Sequence, residues 1–179
     1  YSEKKIKKIE KRTQKKVAKM KKEKVKKPNI IFVQLESHFD ITQVKGVKFN
    51  KDPLPNFHKY MKGYSSGQLS MPSYGAGTAN SEFEFLTGNS MAFFPNGSVP
   101  YLQYIRDGIS TIVPQLEEYG YTTYGTHPYR AKGWNREFIY DLMGFDYRYF
   151  QGSFPFEDKL RNYVSDEADF MTNFQVCQQ

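Results

Sequence analysis

Cysteine is almost absent from this sequence: Cys177 is the single one among 179 residues. That excludes an internal disulfide and a cysteine-built zinc cage. No stretch approaches the ~18 consecutive apolar residues of a bilayer-spanning helix. The N-terminus is lysine-rich with no apolar core behind it, so it carries no signal-peptide pattern. Cytosolic and extracytoplasmic settings both stay open. What is present is enough for a core. Hydrophobic residues make up 39% and aromatics 17%, too much for a chain disordered as a whole. The length suits one ordinary domain or part of a larger one.

The formal charge of +7 is unevenly placed. Residues 1–27 hold 14 of the 26 Lys+Arg and 3 of the 19 Asp+Glu, a net +11, which leaves −4 for residues 28–179. The basic character belongs to a tail, and the remainder is mildly acidic. A nucleic-acid partner is therefore not expected, because such a face needs cations placed on the fold.

Residues 1–27 read as a helix, with Ile6, Ile9, Val17 and Met20 following three- and four-residue steps, Thr13 filling one place in the stripe, and lysines on the other faces. The stripe is too thin to bury much. A solvated linker is the plain reading; a juxtamembrane helix on anionic headgroups is the sharper one. Pro28 ends it. Asn29–Leu35 is a short apolar run that reads as a buried, parallel central strand. Glu36-Ser37-His38 follows at its C-terminal end, the edge that carries ligands in open α/β sheets. Residues 40–75 are rich in loops, with a short helix expected near Asn56–Met61. A further helix opens after Gly75-Ala76-Gly77-Thr78 and stops at Gly88. Ile112–Tyr119 reads as a helix, Tyr121–Thr126 as a strand ending at His127, Trp134–Met143 as a helix and Tyr147–Phe150 as a short strand. Ser165 caps a last helix, with Asp166 and Glu167 in its first turn. Strands alternating with helices point to an α/β fold.

Thr78 is the most informative residue. Gly75 and Gly77 permit close backbone approach, and the helix behind Thr78 turns free N–H groups and a positive dipole end toward its hydroxyl. Such a place binds phosphate or an oxyanion. From this segment alone an N-cap is the simpler reading. Glu36, closing a buried strand, is either a metal ligand or an exposed loop carboxylate. A divalent ion held by Glu36 would lower the pKa of the Thr78 hydroxyl and create a nucleophile. His127, Trp134 and Arg136 together suit an anionic, hydroxylated group. Their structural alternative is a core tryptophan with Arg136 paired to Glu137 or Asp141. Strand alternation points His38 away from Glu36, and nothing singles out His58.

Taken in order, Gln34-Leu35-Glu36-Ser37, Gly77-Thr78-Ala79-Asn80-Ser81-Glu82-Phe83-Glu84, Thr87-Gly88, and His127 with Trp134-Asn135-Arg136 resemble the lipoteichoic acid synthases and related phosphoglycerol transferases. These belong to the sulfatase and alkaline-phosphatase-like superfamily. The resemblance covers roughly residues 28–170. It implies a partial alkaline-phosphatase-like (sulfatase-like) sheet with flanking helices, preceded by the basic helical linker. It implies Glu36 as a metal ligand, Thr78 as both ligand and covalent nucleophile, and His127, Trp134 and Arg136 lining a glycerol-phosphate pocket. The metal expected is manganese, in keeping with an oxygen-rich site without cysteine. Pro128 and Gly133 depart from the common pattern, so the pocket wall would differ.

The family's later Asp-His metal pair has no counterpart here, since the chain contains no Asp-His dipeptide. The resemblance therefore implies a fragment: linker 1–27, then residues 28–179 as the N-terminal part of a catalytic domain, inactive alone. The whole enzyme would stand on the extracytoplasmic side of a bacterial cell membrane. A lysine-rich flank ordinarily favours the cytoplasmic side, but that bias governs short loops and earlier helices can override it. Expected partners are phosphatidylglycerol, a polyglycerolphosphate or glycolipid acceptor, and an anionic membrane surface. The rival readings are a phosphodiesterase or sulfatase-like hydrolase of the same superfamily, and a non-catalytic module that binds glycerol phosphate and membranes. The absence of Cys or Ser followed by Pro and Arg after Thr78 argues against a formylglycine sulfatase.

Overall fold

The computed structural model describes residues 2–20, 26–156 and 158–178. The chain divides between Phe32 and Val33 into two units. The first contains α1 (Glu3–Met20), the expected basic helix, opened by Glu3 and closed by Lys19 in favourable dipole positions. Ile6, Ile9 and Val17 are exposed at 46%, 58% and 40%, so the thin stripe is not buried. The part of the linker at 21–25 lies outside the described residues. No helix among the described residues is long and apolar enough to cross a membrane.

The expected strand Asn29–Leu35 does not form. Residues 29–35 make no ladder, and Ile30, Ile31, Val33 and Leu35 are exposed at 61%, 52%, 48% and 51%. A buried parallel strand needs neighbours on both sides to pair its N–H and C=O groups, and no described strand pairs with it. The apolar run keeps its strand composition without forming a ladder.

In the second unit the elements follow as α2 (Pro55–Gly63), α3 (Thr78–Thr87), α4 (Pro100–Gln103), α5 (Ile112–Glu118), β1 (Tyr124–His127), α6 (Arg136–Met143), β2 (Tyr147–Phe150), β3 (Lys159–Leu160), β4 (Tyr163–Val164) and α7 (Asp166–Val176). Strands β1 and β2 pair in parallel, Tyr124 opposite Tyr147 and His127 opposite Phe150. With α6 between them they form a β–α–β unit, the α/β element that the sequence pattern requires. Strand β1 begins three residues later than the sequence suggests, because its first partner is Tyr147. Asp146 locks that start by accepting from the Thr123 backbone N–H at 2.8 Å and its hydroxyl at 3.0 Å. The β3–β4 hairpin turns through Arg161 and Asn162, both at positive φ (53° and 69°), the turn that matches strand twist.

The core is shared by α3 and α6. On α3 the buried residues Ala79, Glu82, Phe83 and Leu86 fall at the spacing of one helical face. On α6 the buried set is Arg136, Ile139, Tyr140 and Met143. Tyr101, Ile105 and Val113 complete the cluster. Each buried face thus carries one charged residue, Glu82 on α3 and Arg136 on α6.

The single helix expected over Trp134–Met143 is broken. Gly133–Asn135 is a 3₁₀ turn, and Trp134 and Asn135 adopt left-handed φ values of 53° and 58°. Two successive non-glycine residues there cost roughly 1–2 kcal/mol each. The kink starts α6 at Arg136.

Candidate active site

Thr78 is not an N-cap. Gly77 occupies that place at φ 81°, no side chain caps the helix, and Thr78 is its first residue. The left-handed turn is fixed from below, where the Ser73 hydroxyl donates to the Gly77 carbonyl at 3.1 Å. The Thr78 hydroxyl is therefore free of capping duty and donates to Glu36 Oε1 at 2.6 Å. Gln34 Nε2 donates to the Thr78 carbonyl at 3.1 Å, tying the Glu36 segment to the start of α3. A carboxylate here also faces the positive end of α3.

Three groups converge on Glu36 Oε1: Thr78 Oγ1 at 2.6 Å, Arg136 Nη2 at 3.0 Å and His127 Nε2 at 3.6 Å. His127 arrives from the C-terminal end of β1, the edge expected of it. The Glu36 carboxyl is pulled from 4.5 to about 2. The His127 imidazole lowers it most, partial burial opposes, and the Thr78 hydroxyl and Arg136 charge add to the lowering. By length Thr78 and Arg136 are the closer partners, and His127 at 3.6 Å stands beyond ordinary hydrogen-bond reach. Glu36 is thus an anion held by cationic and hydroxyl partners.

Arg136 is 1% exposed. A cation at a helix start opposes the dipole, and two carboxylates offset it: Glu36, and Glu82 through Nε at 3.0 Å. Its pairing is therefore not with Glu137 or Asp141, and Asp141 pairs with Arg148 instead. Burial is the largest single influence and disfavours the Arg136 charge, but Glu82, Tyr140 and Glu36 together outweigh it and raise the pKa. Trp134 packs against the core cluster. Of the five residues singled out in the sequence, Glu36, Thr78, His127 and Arg136 meet on one oxygen, and Trp134 lies at the core edge beside Arg136. His38 packs its ring on Phe57, with centroids 4.8 Å apart. Glu82 is the member that sequence reasoning missed. Its signal was the apolar company it keeps at i−3, i+1 and i+4.

The Glu36 and Thr78 oxygens offer two adjacent hard donors, the chemistry that suits a divalent cation such as Mn²⁺ or Mg²⁺. Among the described residues no group of three or more His, Cys, Asp or Glu side chains is placed to hold a metal ion. The donors fit such an ion as part of a coordination sphere.

The sulfatase family matches residues 28–171, and the chain belongs to that family. A protein of Rhizobium meliloti (strain 1021), named for cyclic beta-1,2-glucan modification, is 37% identical over 142 residues, 79% of this chain and 22% of that protein. This chain therefore spans about a fifth of that relative's length. Among solved structures, the lipoteichoic acid synthase LtaP from Listeria monocytogenes matches with a TM-score of 0.52 at 24% identity, over 59% of this chain and 25% of that one. That likeness shows the fold, a sulfatase-like, alkaline-phosphatase-like architecture.

Proposed function

We propose that this chain is part of a phosphoglycerol transferase that moves glycerol phosphate from phosphatidylglycerol to an acceptor hydroxyl through a covalent intermediate on Thr78. The observation that carries this reading is the Thr78 hydroxyl, free of capping duty and bonded at 2.6 Å to an ionised Glu36. Family membership supports phosphoryl- or sulfuryl-transfer chemistry, and threonine in place of a formylglycine precursor favours the phosphoryl side.

Glu36 and Thr78 would hold a divalent cation, Mn²⁺ in this reading. When bound, it supplies Lewis acidity that lowers the pKa of the hydroxyl. Thr78 Oγ attacks the phosphorus of the phosphodiester. The Oγ–P bond forms, the bond from phosphorus to the diacylglycerol oxygen breaks, and the hydroxyl proton ends on that oxygen. In the second step an acceptor hydroxyl attacks the same phosphorus, the Oγ–P bond breaks, and the acceptor's proton passes to Thr78 Oγ. Arg136 and His127 face the place where charge builds on the phosphoryl oxygens, and Trp134 would wall the glycerol. Splitting the transfer holds the activated group in place while the acceptor enters.

The acceptor in this reading is the terminal hydroxyl of a glycerophosphate chain or a glycolipid. A glucan hydroxyl is a second reading, favoured by the name of the Rhizobium relative. The enzyme would work at the outer face of a bacterial cell membrane, with the lysines of α1 against anionic headgroups. Deleting residues 1–27 should then weaken binding to phosphatidylglycerol vesicles, most at low salt. Salt-independent binding contradicts the electrostatic part.

The test of the function is product analysis with the intact protein, labelled phosphatidylglycerol and each acceptor in turn. Label transferred to an acceptor by wild type and not by Thr78→Ala supports the reading. Free glycerol phosphate formed at the same rate with and without acceptors would make the enzyme a hydrolase.

A further inference from the structure

Glu82 has no place in the reaction steps above, yet it is wired to them. It lies one helical turn after Thr78, on the same side of α3. Its side chain is 10% exposed and that of Arg136 is 1% exposed. Glu82 Oε2 accepts Arg136 Nε at 3.0 Å and stands 2.9 Å from Nη2. Its other oxygen, Oε1, accepts the hydroxyl of the fully buried Tyr101 at 2.9 Å. Glu82 therefore takes one edge of the planar guanidinium from behind, while the same Nη2 donates forward to Glu36 Oε1 at 3.0 Å.

A guanidinium is a rigid fork, so fixing Nε and Nη2 fixes the direction of the remaining Nη2 hydrogen. Stability alone does not account for such a pair, because well-packed apolar residues commonly replace buried ion pairs without loss. What an apolar pair cannot do is aim an N–H at the Thr78–Glu36 oxygens. The charges are consistent with this. Two carboxylates share one guanidinium, so Arg136 stays held by Glu82 when Glu36 is engaged elsewhere, and its forward hydrogen is then open to a phosphoryl oxygen.

We propose that Glu82 is a positioning residue for phosphoryl transfer: held by Tyr101, it fixes Arg136 so that one Nη2 hydrogen points at the phosphoryl oxygens above Thr78. This rests on the transferase reading.

The test uses the intact protein with labelled phosphatidylglycerol, and measures kcat and KM separately beside the melting temperature. Glu82→Gln keeps the side-chain length and removes the charge. It should fold and lose about tenfold or more in kcat, as lost support of a reacting group commonly does. Arg136→Lys should lose at least as much. The double variant should be no slower than Arg136→Lys alone, because Glu82 acts through Arg136. A purely structural Glu82 would lower the melting temperature and leave kcat per folded molecule unchanged. If Glu82→Gln does not fold, Tyr101→Phe keeps the ring volume, frees Glu82 Oε1 and should lower kcat in the same direction. A kcat within twofold of wild type in the folded variant, or losses that multiply in the double variant, overturns the proposal. An active Thr78→Ala removes the transferase reading and this inference together; an inactive Thr78→Ala beside an unimpaired Glu82→Gln removes this inference alone.

Discussion

The Thr78 hydroxyl donates to Glu36 Oε1 across 2.6 Å, although 42 residues separate the two in sequence. A bond that short to an anion is charge-assisted. It joins the first residue of α3 to a turn that is part of neither helix nor strand. Glu36→Gln keeps an acceptor oxygen and removes the charge. The expected result in the intact protein is a kcat lower by about 100-fold or more, with weaker Mn²⁺ binding by titration calorimetry and an unchanged fold by circular dichroism. Turnover within twofold of wild type would show that the charge plays no part.

Gly125 in β1 sets how closely α6 approaches the sheet. A Cβ there would meet the Tyr140 ring at 2.8 Å and Phe145 at 3.3 Å. Tyr140 is buried among core residues and has little room to yield. Gly125→Ala should therefore destabilise by about 1–3 kcal/mol, read from urea unfolding. An unchanged midpoint would mean that the ring moves freely.

His58 sits between two carboxylates, with Nδ1 2.8 Å from Asp52 and Nε2 3.3 Å from Asp40. Asp52 foremost and then Asp40 raise its pKa above 6.5. Both carboxyls are lowered from 3.8, Asp40 mainly by Thr42 and Asp52 mainly by His58. The histidine contribution is full below its unfolded value and fades as pH rises through the raised folded value. The carboxylate contribution is present above the unfolded value and fades in acid. The stability lost in His58→Gln should be greatest between about pH 4 and 6.5 and shrink as pH rises through the raised folded value. High salt should reduce it, since Asp52 is 43% exposed. A loss constant across that range contradicts the pairing.

Periodicity was legible where local signals agree. Helix α3 stops at Gly88, α6 stops at Gly144, both glycines being left-handed, and Ser165 caps α7 through the Ala168 N–H. The run Asn29–Leu35 misled because composition records what a strand would bury, while a ladder depends on neighbours that composition cannot supply. The left-handed pair Trp134–Asn135 has no glycine to announce it. Glu82 hid because a glutamate in a helix ordinarily reads as solvated surface, and its partner Arg136 lies 54 residues away. His58 hid for the same reason, with Asp40 18 residues off. The motif residues of the site were legible as chemistry, and their convergence on Glu36 Oε1 was not.

Incubation of the intact protein with labelled phosphatidylglycerol and no acceptor, followed by peptide mass spectrometry, tests the nucleophile most directly. The expected result is a glycerophosphoryl adduct on the Thr78 peptide, formed with release of diacylglycerol, discharged when acceptor is added, and absent in Thr78→Ala. Diacylglycerol release without an adduct on Thr78, or Thr78→Ala turning over near the wild-type rate, would contradict a covalent role for Thr78.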